Sequence, residues 1–366
     1  MDIFAGTSIY FIPFYLKLTM SQNIQKETIA SLGEFGLIER ITRQAVPQQP
    51  GTLKGVGDDA AVIDFGEDVA VVTSDMLTEG VHFNLMYVPL KHLGYKAVVV
   101  NLSDVYAMNA QPRQITVNLA ISAKFTLEAV EELYAGIHLA CQRYGVDLVG
   151  GDTTSSLTGL TISITALGSA RRDELVYRSG ARPNDLLCVS GDLGGAYLGL
   201  QLLERENEVF KINPQAQPKL EGYDYILERQ LKPEARRDVV EAFRKMGIRP
   251  TSMIDISDGL SSEILHLCKA SQVGCHLYED KIPMDRQTRQ MAEEFHINPL
   301  VAALNGGEDY ELLFTLPLTD HDKIKNDPDI TVIGHMTAAG EGANLVAAGG
   351  ALIPLVAQGW NHLNKK

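Results

Sequence analysis

Several short segments in the first half of the chain are rich in apolar and β-branched residues, with polar residues at intervals, as in β-strands. These segments are AAVIDF (60–65), VAVVTSDML (69–77), QITVNLAIS (114–122) and GLTISITALGSAR (159–171). Residues 90–110 instead place Leu93, Ala97, Val100, Asp104 and Met108 at spacings of three and four, although the VVV triplet within them favours a strand. The spacing and the length together predict a helix over 90–110.

The other helical patterns are amphipathic and separate further strands. We predict helices over 33–42, 126–145 and 233–247, and a strand that runs into a turn over 146–156. Strand–turn–helix units follow in the second half, and the last strands lie beyond them. The units are predicted over 178–204 and 253–274, and the strands over 306–317 and 330–336.

Strands and helices therefore alternate in both halves, which predicts an α/β or α+β protein with two lobes. A chain of 366 residues is also too long for one ordinary domain. We expect an N-terminal extension over 1–30, a first domain over 31–170 and a second domain over 171–366.

The N-terminal extension contains an apolar run over residues 3–16, shorter than the roughly 20 residues that span a bilayer. Asp2 precedes this run and Lys17 follows it, whereas a signal peptide has basic residues before its apolar run and small residues after it. We expect Met20 to be the natural start and residues 1–19 to be upstream sequence.

Charge and cysteine content narrow the functional classes. With 46 acidic and 32 basic residues the formal net charge is −14. Nucleic acids and anionic lipids are bound mainly through Lys and Arg, so we expect neither nucleic acid nor membrane as a partner. The four cysteines form no CxxC pair, which indicates reduced thiols in a cytoplasmic protein rather than disulfides or a zinc site.

Five stretches are predicted to end an apolar strand in a short acidic turn: GVGDDAAVI, VVTSDML, VNLSDVYAM, LVGGDTTSS and MIDISDG. Their acids are Asp58, Asp59, Asp75, Asp104, Asp152, Asp255 and Asp258. Each one alone is typical of a turn or a helix cap. Together they predict a shared site, because loops at strand ends tend to gather at one rim of a sheet.

Converging carboxylates need a counter-charge. Two charges about 4 Å apart repel by about 4 kcal/mol at an effective dielectric near 20. Such a cluster persists only with raised pKa values or bound cations. Aspartate oxygens with Thr73, Ser74 and Ser257 beside them suit Mg²⁺, which binds few carboxylates together with phosphate and water. The pattern therefore predicts metal-assisted phosphoryl transfer.

The familiar nucleotide-binding signatures are missing from the sequence. It contains no GxxxxGK[ST], no GxGxxG after a strand and no kinase-type HRD or DFG motif. The glycine-rich stretch over 189–199 leads into a predicted helix. Its backbone N–H groups could contact a phosphate, or the glycines could simply form a tight strand–helix turn.

An ordered set of motifs resembles the thiamine-monophosphate kinase family from about residue 33 to the C-terminus. The motifs are GEFGLI, GVGDDAAVI, TSDML, EGVHF, YKAVVVNLSDVYAM, VGGDTT, RSGARPND, IDISDGL and GGEDYELLF. This family is grouped with aminoimidazole ribonucleotide synthetase, selenophosphate synthetase and a hydrogenase-maturation protein. The resemblance implies their two-lobed α/β ATP-binding fold with mixed sheets, and a homodimer formed through strands of the N-terminal lobe.

The resemblance also implies an activity. Thiamine monophosphate would be phosphorylated to the diphosphate by direct in-line transfer from ATP, with several Mg²⁺ ions as cofactors and no phosphoenzyme. The attacking phosphate is already largely ionised at neutral pH, so the reaction needs no strong general base.

Residue roles follow from the same resemblance. The implied Mg²⁺ ligands are Asp59, Thr73, Ser74, Asp75, Asp104, Asp152, Asp255 and Asp258, of which Asp75 and Asp258 are the expected catalytic residues. The implied ATP contacts are Tyr134, Gly151, Asp152, Arg178 and Ser257. The implied thiamine monophosphate contacts are His82, Glu308 and Trp360. Each has a structural alternative: Tyr134 could pack a helix, His82 could be a core residue and Glu308 could be a turn acid.

Two alternative functions remain open. The chain could be another synthetase of this fold, such as aminoimidazole ribonucleotide synthetase, although TSDML, EGVHF and GGEDYELLF fit the kinase family better. It could also be a non-catalytic Mg-nucleotide binding protein, which would not need so many acids. Selenophosphate synthetase would need a reactive cysteine near the N-terminus, but the first is Cys141.

Overall fold

The computed structural model describes Glu39 and residues 49–358, and two mixed β-sheets form its framework. The first sheet has the order β1-β2-β3-β6-β4-β5, in which β4 and β5 run parallel and the other neighbours antiparallel. Its strands are β1 Thr52–Lys54, β2 Ala61–Asp64, β3 Asp68–Thr78, β4 Gln111–Ser122, β5 Asp147–Ser156 and β6 Thr161–Arg171.

The second sheet has the order β13-β12-β9-β11-β7-β10-β8, with β12 and β9 parallel. Its strands are β7 Leu186–Ser190, β8 Ser252–Asp255, β9 Gly274–Tyr278, β10 Leu312–Leu316, β11 Ile330–Thr337, β12 Ala343–Val346 and β13 Leu352–Pro354. Both sheets are mixed and both are accompanied by helices, which confirms the predicted fold class.

Nine helices lie within residues 49–358; five of them were predicted, whereas those over 224–231, 286–294, 299–305 and 321–324 were not. The nine are α1 Leu90–Ala107, α2 Leu127–Tyr144, α3 Gly195–Ile212, α4 Asp224–Leu231, α5 Arg237–Met246, α6 Leu260–Ser271, α7 Arg286–Glu294, α8 Pro299–Asn305 and α9 His321–Ile324. The helix predicted over 90–110 is confirmed, since spacing and length outweigh the β-branched triplet. The helix predicted over 33–42 lies outside the described residues apart from Glu39.

The chain differs from the prediction over 146–156, where a turn was expected after a short strand. Residues Asp152 to Ser156 stay in β5 because each pairs in register with β4, from Asn118 to Ser122. Ladder pairing with a neighbouring strand thus overrides the turn propensity of the glycines and small polar residues.

Helix α1 is the central element of the fold. It packs on β3, β4 and β6 and crosses α2 at two glycines. A Cβ on Gly94 would lie 2.0 Å from the carbonyl oxygen of Leu133, and one on Gly136 would lie 1.9 Å from that of Lys91. The two helices can therefore approach this closely only with glycine at both positions.

Polar side chains of α1 connect it to the second half of the chain. Tyr95 donates to Glu234 at 2.8 Å. Lys96 donates to the carbonyl oxygen of Gln230 at 3.0 Å, and Ser103 donates to Asp255 at 2.6 Å. The seam between the two sheets therefore runs along α1.

Two further observations concern the described residues as a whole. None of the helices within 49–358 is both long and apolar enough to cross a membrane. All four cysteines are buried free thiols, as expected from their spacing.

Candidate active site

Three carboxylates from three different elements meet beside α1. Asp59 precedes β2, Asp104 lies in α1 and Asp255 ends β8, and one carboxylate oxygen of each lies within 4.8 Å of the other two. We call these three residues the acid cluster. Hydroxyl groups hold two of them in place, since Thr73 donates to Asp104 and Ser103 donates to Asp255, each at 2.6 Å.

Burial and repulsion from neighbouring acids make Asp104 and Asp255 hard to ionise. Burial, reinforced by the charge of Asp59, raises the pKa of Asp255 to about 8. Burial, together with the charges of Asp75 and Asp255, raises the pKa of Asp104 well above its usual range. An acid cluster of this kind favours a bound proton or a bound cation.

Arg178 is the cation that faces the acid cluster. Its guanidinium donates to both carboxylate oxygens of Asp59, at 3.0 and 2.8 Å. Its backbone N–H donates to Asp58 at 3.2 Å, and Lys54 lies 3.5 Å from the other oxygen of Asp58. Asp58 is thus engaged in the loop rather than in the acid cluster.

Asp75 flanks the acid cluster from the middle of β3. Its backbone N–H donates to the side chain of Asn101 at 3.0 Å, and its charge acts on Asp104 and Asp255. The prediction that all these acids occupy turns was wrong: Asp75 and Asp152 lie within strands and Asp104 lies within α1. Strand pairing and helix burial place these three acids, whereas Asp59 and Asp258 do lie in loops.

Thr73 and Ser74 were predicted together as metal ligands, but they lie on opposite faces of β3. Successive side chains of a strand alternate in direction. Thr73 shares the face of Asp104, whereas Ser74 is exposed and lies 3.1 Å from Thr165 of β6. The Ser74 side chain therefore lies outside the acid cluster, and its implied role as a Mg²⁺ ligand stays a prediction.

Asp258 lies in the loop between β8 and α6. Its backbone N–H donates to Oε1 of Glu263 in the first turns of α6, at 3.2 Å. Glu263 is only 2% exposed. Burial and the neighbouring charge of Asp258 raise its pKa well above the usual range. We did not predict a role for Glu263. The sequence does contain an indication of one, because this acid follows SDGL at a position that the helix pattern predicts to be buried.

The loop that carries Asp258 is hydrogen-bonded to the loop that carries Glu308. Three backbone bonds extend the β8–β10 ladder: Ile256 donates to Glu311 at 2.8 Å, Tyr310 donates to Ile256 at 2.8 Å, and Glu308 donates to Ser257 at 2.7 Å. Glu308 and Tyr310 have φ of 58° and 52°, a left-handed conformation that non-glycine residues rarely adopt. Such conformations persist only where the surroundings fix them.

Glu308 is held by a lysine that we did not single out from the sequence. Lys96 lies 2.9 Å from one oxygen of Glu308, and Gln230 donates to the other at 2.9 Å. Burial opposes ionisation of Glu308, but Lys96 and Gln230 outweigh it and lower the pKa below the usual value. The charge of His82 acts in the same direction, so His82 and Glu308 face one region. The signal for Lys96 was a lysine directly before the apolar run AVVV of α1.

The other acids of the GGEDYE loop point into the second half of the protein. Asp309 accepts the N–H of Gly194 at 2.9 Å, at the start of α3. Glu311 accepts from Arg229 at 2.8 Å and also pairs with Arg236. Because Asp309 already occupies the first turn of α3, the glycine-rich stretch over 189–199 fits the tight-turn interpretation better than a phosphate loop.

A separate pocket of 430 Å³ contains three predicted ATP contacts, Tyr134, Gly151 and Asp152. Gly151 has φ of 151°, and a Cβ there would lie 1.8 Å from the carbonyl oxygen of Val117. Asp152 is exposed and lies outside the acid cluster. The structure thus groups Asp152 with the predicted ATP contacts. Trp360, predicted to contact the substrate, lies outside the described residues.

Comparison with known proteins of similar sequence assigns the chain to a family. Residues 57–170 match the model for "AIR synthase related protein, N-terminal domain". A thiamine-monophosphate kinase of Aquifex aeolicus (strain VF5) is 34% identical over 336 residues, 91% of this chain and 99% of that protein. The chain belongs to the thiamine-monophosphate kinase family. Another member, from Bacillus subtilis (strain 168), is 32% identical over 338 residues, 90% of this chain and 99% of that protein.

The fold of this thiamine-monophosphate kinase family member matches solved relatives as well. A structure described as AaThiL complexed with AMPPCP and TMP superposes with a TM-score of 0.78 at 32% identity, covering 92% of this chain and 99% of that one. The resemblance drawn from the motifs is therefore confirmed. These relatives favour the kinase over the two alternatives that the sequence left open, namely aminoimidazole ribonucleotide synthetase and a non-catalytic binding protein.

Proposed function

We propose that this protein transfers the γ-phosphoryl group of ATP to thiamine monophosphate, producing thiamine diphosphate and ADP. Family membership supports the reaction, as does the solved relative in complex with AMPPCP and TMP. The observation in the molecule itself that carries the proposal is the acid cluster, in which two buried carboxylates and one half-buried carboxylate lie close enough together to favour a bound cation.

Mg²⁺ is the cation that suits this donor set. Asp59, Asp104 and Asp255 would hold it, with Asp75 and Asp258 beside them, and oxygen ligands of this kind match the preference of Mg²⁺. When bound, Mg²⁺ supplies positive charge that neutralises the phosphate oxygens. The formal net charge of −14 makes such a local source of positive charge necessary.

Arg178 is the proposed phosphate contact of the chain itself. Its guanidinium is held between its own loop and Asp59, where it offers N–H donors in the planar arrangement that phosphate oxygens accept. Catalysis would depend mainly on positioning the two phosphates, because the attacking phosphate is already ionised. Asp75 and Asp258 remain the proposed catalytic positions, through the metal.

The two substrates would bind at the two ends of the seam that runs along α1 between the two sheets. We assign thiamine monophosphate to His82, Glu308 and Trp360, because the ionised carboxylate of Glu308 would attract the cationic thiazolium ring. We assign ATP to Tyr134, Gly151, Asp152 and Ser257, three of which line the pocket described above.

A homodimer in the cytoplasm completes the proposal. Strand β5 is an edge strand with nearly every residue exposed, including Val149 at 59%, and no other described strand pairs with its outer side. An exposed edge strand presents unpaired backbone N–H and C=O groups with which a strand of a second copy could pair. We also keep the division into domains at 31–170 and 171–366, which separates the two sheets except at the last residue of β6.

The test is to incubate the protein with ATP, Mg²⁺ and thiamine monophosphate and to measure thiamine diphosphate by chromatography. We expect one diphosphate for each ADP formed, and loss of product when EDTA replaces Mg²⁺. Reactions with thiamine or with aminoimidazole ribonucleotide precursors serve as controls. ADP formation on those precursors without any thiamine diphosphate would refute the proposal.

A further inference from the structure

Glu263 is a buried acid to which the proposed reaction assigns no role. It is 2% exposed, and its Oε1 accepts the backbone N–H of Asp258 at 3.2 Å. Its other oxygen, Oε2, is also buried and has no hydrogen-bond partner in the part of the chain that the structure describes. The charges that act on it are those of Asp258 and Asp255, both acidic.

A purely structural role accounts for only one of the two oxygens. Holding the loop at Asp258 requires a single acceptor, and a neutral glutamine would provide one. A second buried oxygen without a partner is unfavourable, and more so beside two other acids. An acid rather than an amide at this position is explained if Oε2 accepts a hydrogen bond from a group that the folded chain does not itself supply.

We propose that Glu263 is a positioning residue of the cation site: Oε1 fixes the loop of Asp258, and Oε2 accepts a hydrogen bond from water bound to the cation. The inference rests on the proposed function, which places Mg²⁺ at Asp255 and Asp258. Mg²⁺ dehydrates reluctantly and keeps several waters in proteins. Residues that accept hydrogen bonds around a metal site orient its ligands and raise its affinity for the metal.

The substitution E263Q separates the two roles of this carboxylate. Its amide oxygen still accepts the N–H of Asp258, but its amide nitrogen replaces Oε2 with a donor, which cannot accept from water. The matched control is E206Q. Glu206 in α3 is 7% exposed, and one of its oxygens accepts the backbone N–H of Lys219 at 2.8 Å.

The measurement is Mg²⁺ binding by calorimetry, with and without a non-hydrolysable ATP analogue, followed by the Mg²⁺ dependence of turnover. We expect E263Q to keep the thermal midpoint of the wild type and to lose about 10- to 100-fold in Mg²⁺ affinity. The Mg²⁺ concentration for half-maximal rate should rise accordingly, while kcat at saturating Mg²⁺ changes less. E206Q should bind Mg²⁺ like the wild type.

The outcomes of these measurements distinguish failure of this inference from failure of the proposed metal site. An E263Q protein that binds Mg²⁺ as tightly as the wild type overturns this inference and leaves the proposed function intact. A wild-type protein that binds no Mg²⁺ under either condition overturns the metal assignment and this inference with it. If E263Q does not fold, E263D takes its place, since it keeps the charge on a shorter side chain; unchanged Mg²⁺ affinity in E263D would then overturn the inference.

Discussion

At the scale of single residues, the site is built from carboxylates that the fold keeps close together against their repulsion. Asp255 shows the conflict most clearly: it is buried, it accepts a hydrogen bond from Ser103, and its pKa is raised to about 8. Substrate chemistry rather than stability explains why an acid is kept at this position, because a neutral residue would fit the metal-free fold better.

The substitution Asp255→Asn tests this directly. Asparagine keeps the shape and the hydrogen bond from Ser103 but cannot carry the charge. We expect turnover to fall on the order of 100-fold or more, because a metal ligand is lost, while the metal-free protein unfolds at the same temperature or higher. Steady-state kinetics and thermal unfolding in EDTA measure the two effects. Asp280→Asn, at an exposed position, is the control, and a fully active Asp255→Asn protein would contradict the metal assignment.

At the scale of elements, the edge strand β5 combines exposure with one tight contact. Gly151 lies opposite Val117 in the parallel β4–β5 ladder. A side chain there would run into the backbone of β4, whereas a Cβ on the adjacent Gly150 would meet nothing within 4 Å. The strand can therefore approach β4 and form the wall of its pocket only with glycine at 151.

This contrast predicts different outcomes for two neighbouring alanine substitutions. Gly151→Ala should lower the free energy of unfolding by about 1–3 kcal/mol, since it introduces strain at a left-handed position and a steric clash. It should also weaken ATP binding. Gly150→Ala should change the free energy of unfolding by less than about 0.5 kcal/mol. Urea unfolding and nucleotide titration measure both variants, and equal effects would show that the contact with Val117 is unimportant.

At the scale of the whole molecule, the acid cluster links stability to pH and to Mg²⁺. The pKa of Asp255 is about 8 in the folded protein against an ordinary value of 3.8. Between these two values the folded state holds a proton that the unfolded chain has released. This contribution to stability is therefore complete below about pH 4 and is lost as the pH rises through 8.

We accordingly expect the protein in EDTA to lose stability between pH 6 and 8, by up to about 1 kcal/mol per pH unit from this one proton. Mg²⁺ competes with the proton, so the stabilisation produced by Mg²⁺ should increase over the same interval. Thermal unfolding at several pH values, with EDTA or with Mg²⁺, measures both trends. A Mg²⁺ effect that is largest at pH 6 would rule out competition with the proton.

The sequence predicted the fold class, the family and the three acids of the cluster, because these depend on local periodicity and on motifs in order. It failed where distant residues decide the outcome. Nothing near Asp75 indicates the middle of a long strand rather than a turn, since the pairing of β3 with β6 determines it. Likewise the contact of Lys96 with Glu308 joins positions far apart in the chain. Ser74, a ligand implied by the resemblance, lies on the opposite face of β3 from Thr73, and its role stays a prediction.

The hydrogen-bonded ladder between residues 256–257 and 308–311 means that the two substrate-facing loops cannot shift independently. A ligand that draws Glu308 toward itself also moves the backbone that carries Asp258. Binding of a ligand at Glu308 and binding of Mg²⁺ at Asp258 would then be thermodynamically linked. If thiamine monophosphate tightens Mg²⁺ binding by some factor, Mg²⁺ must tighten thiamine monophosphate binding by the same factor. Three backbone hydrogen bonds would in this way couple the binding of thiamine monophosphate to the binding of Mg²⁺.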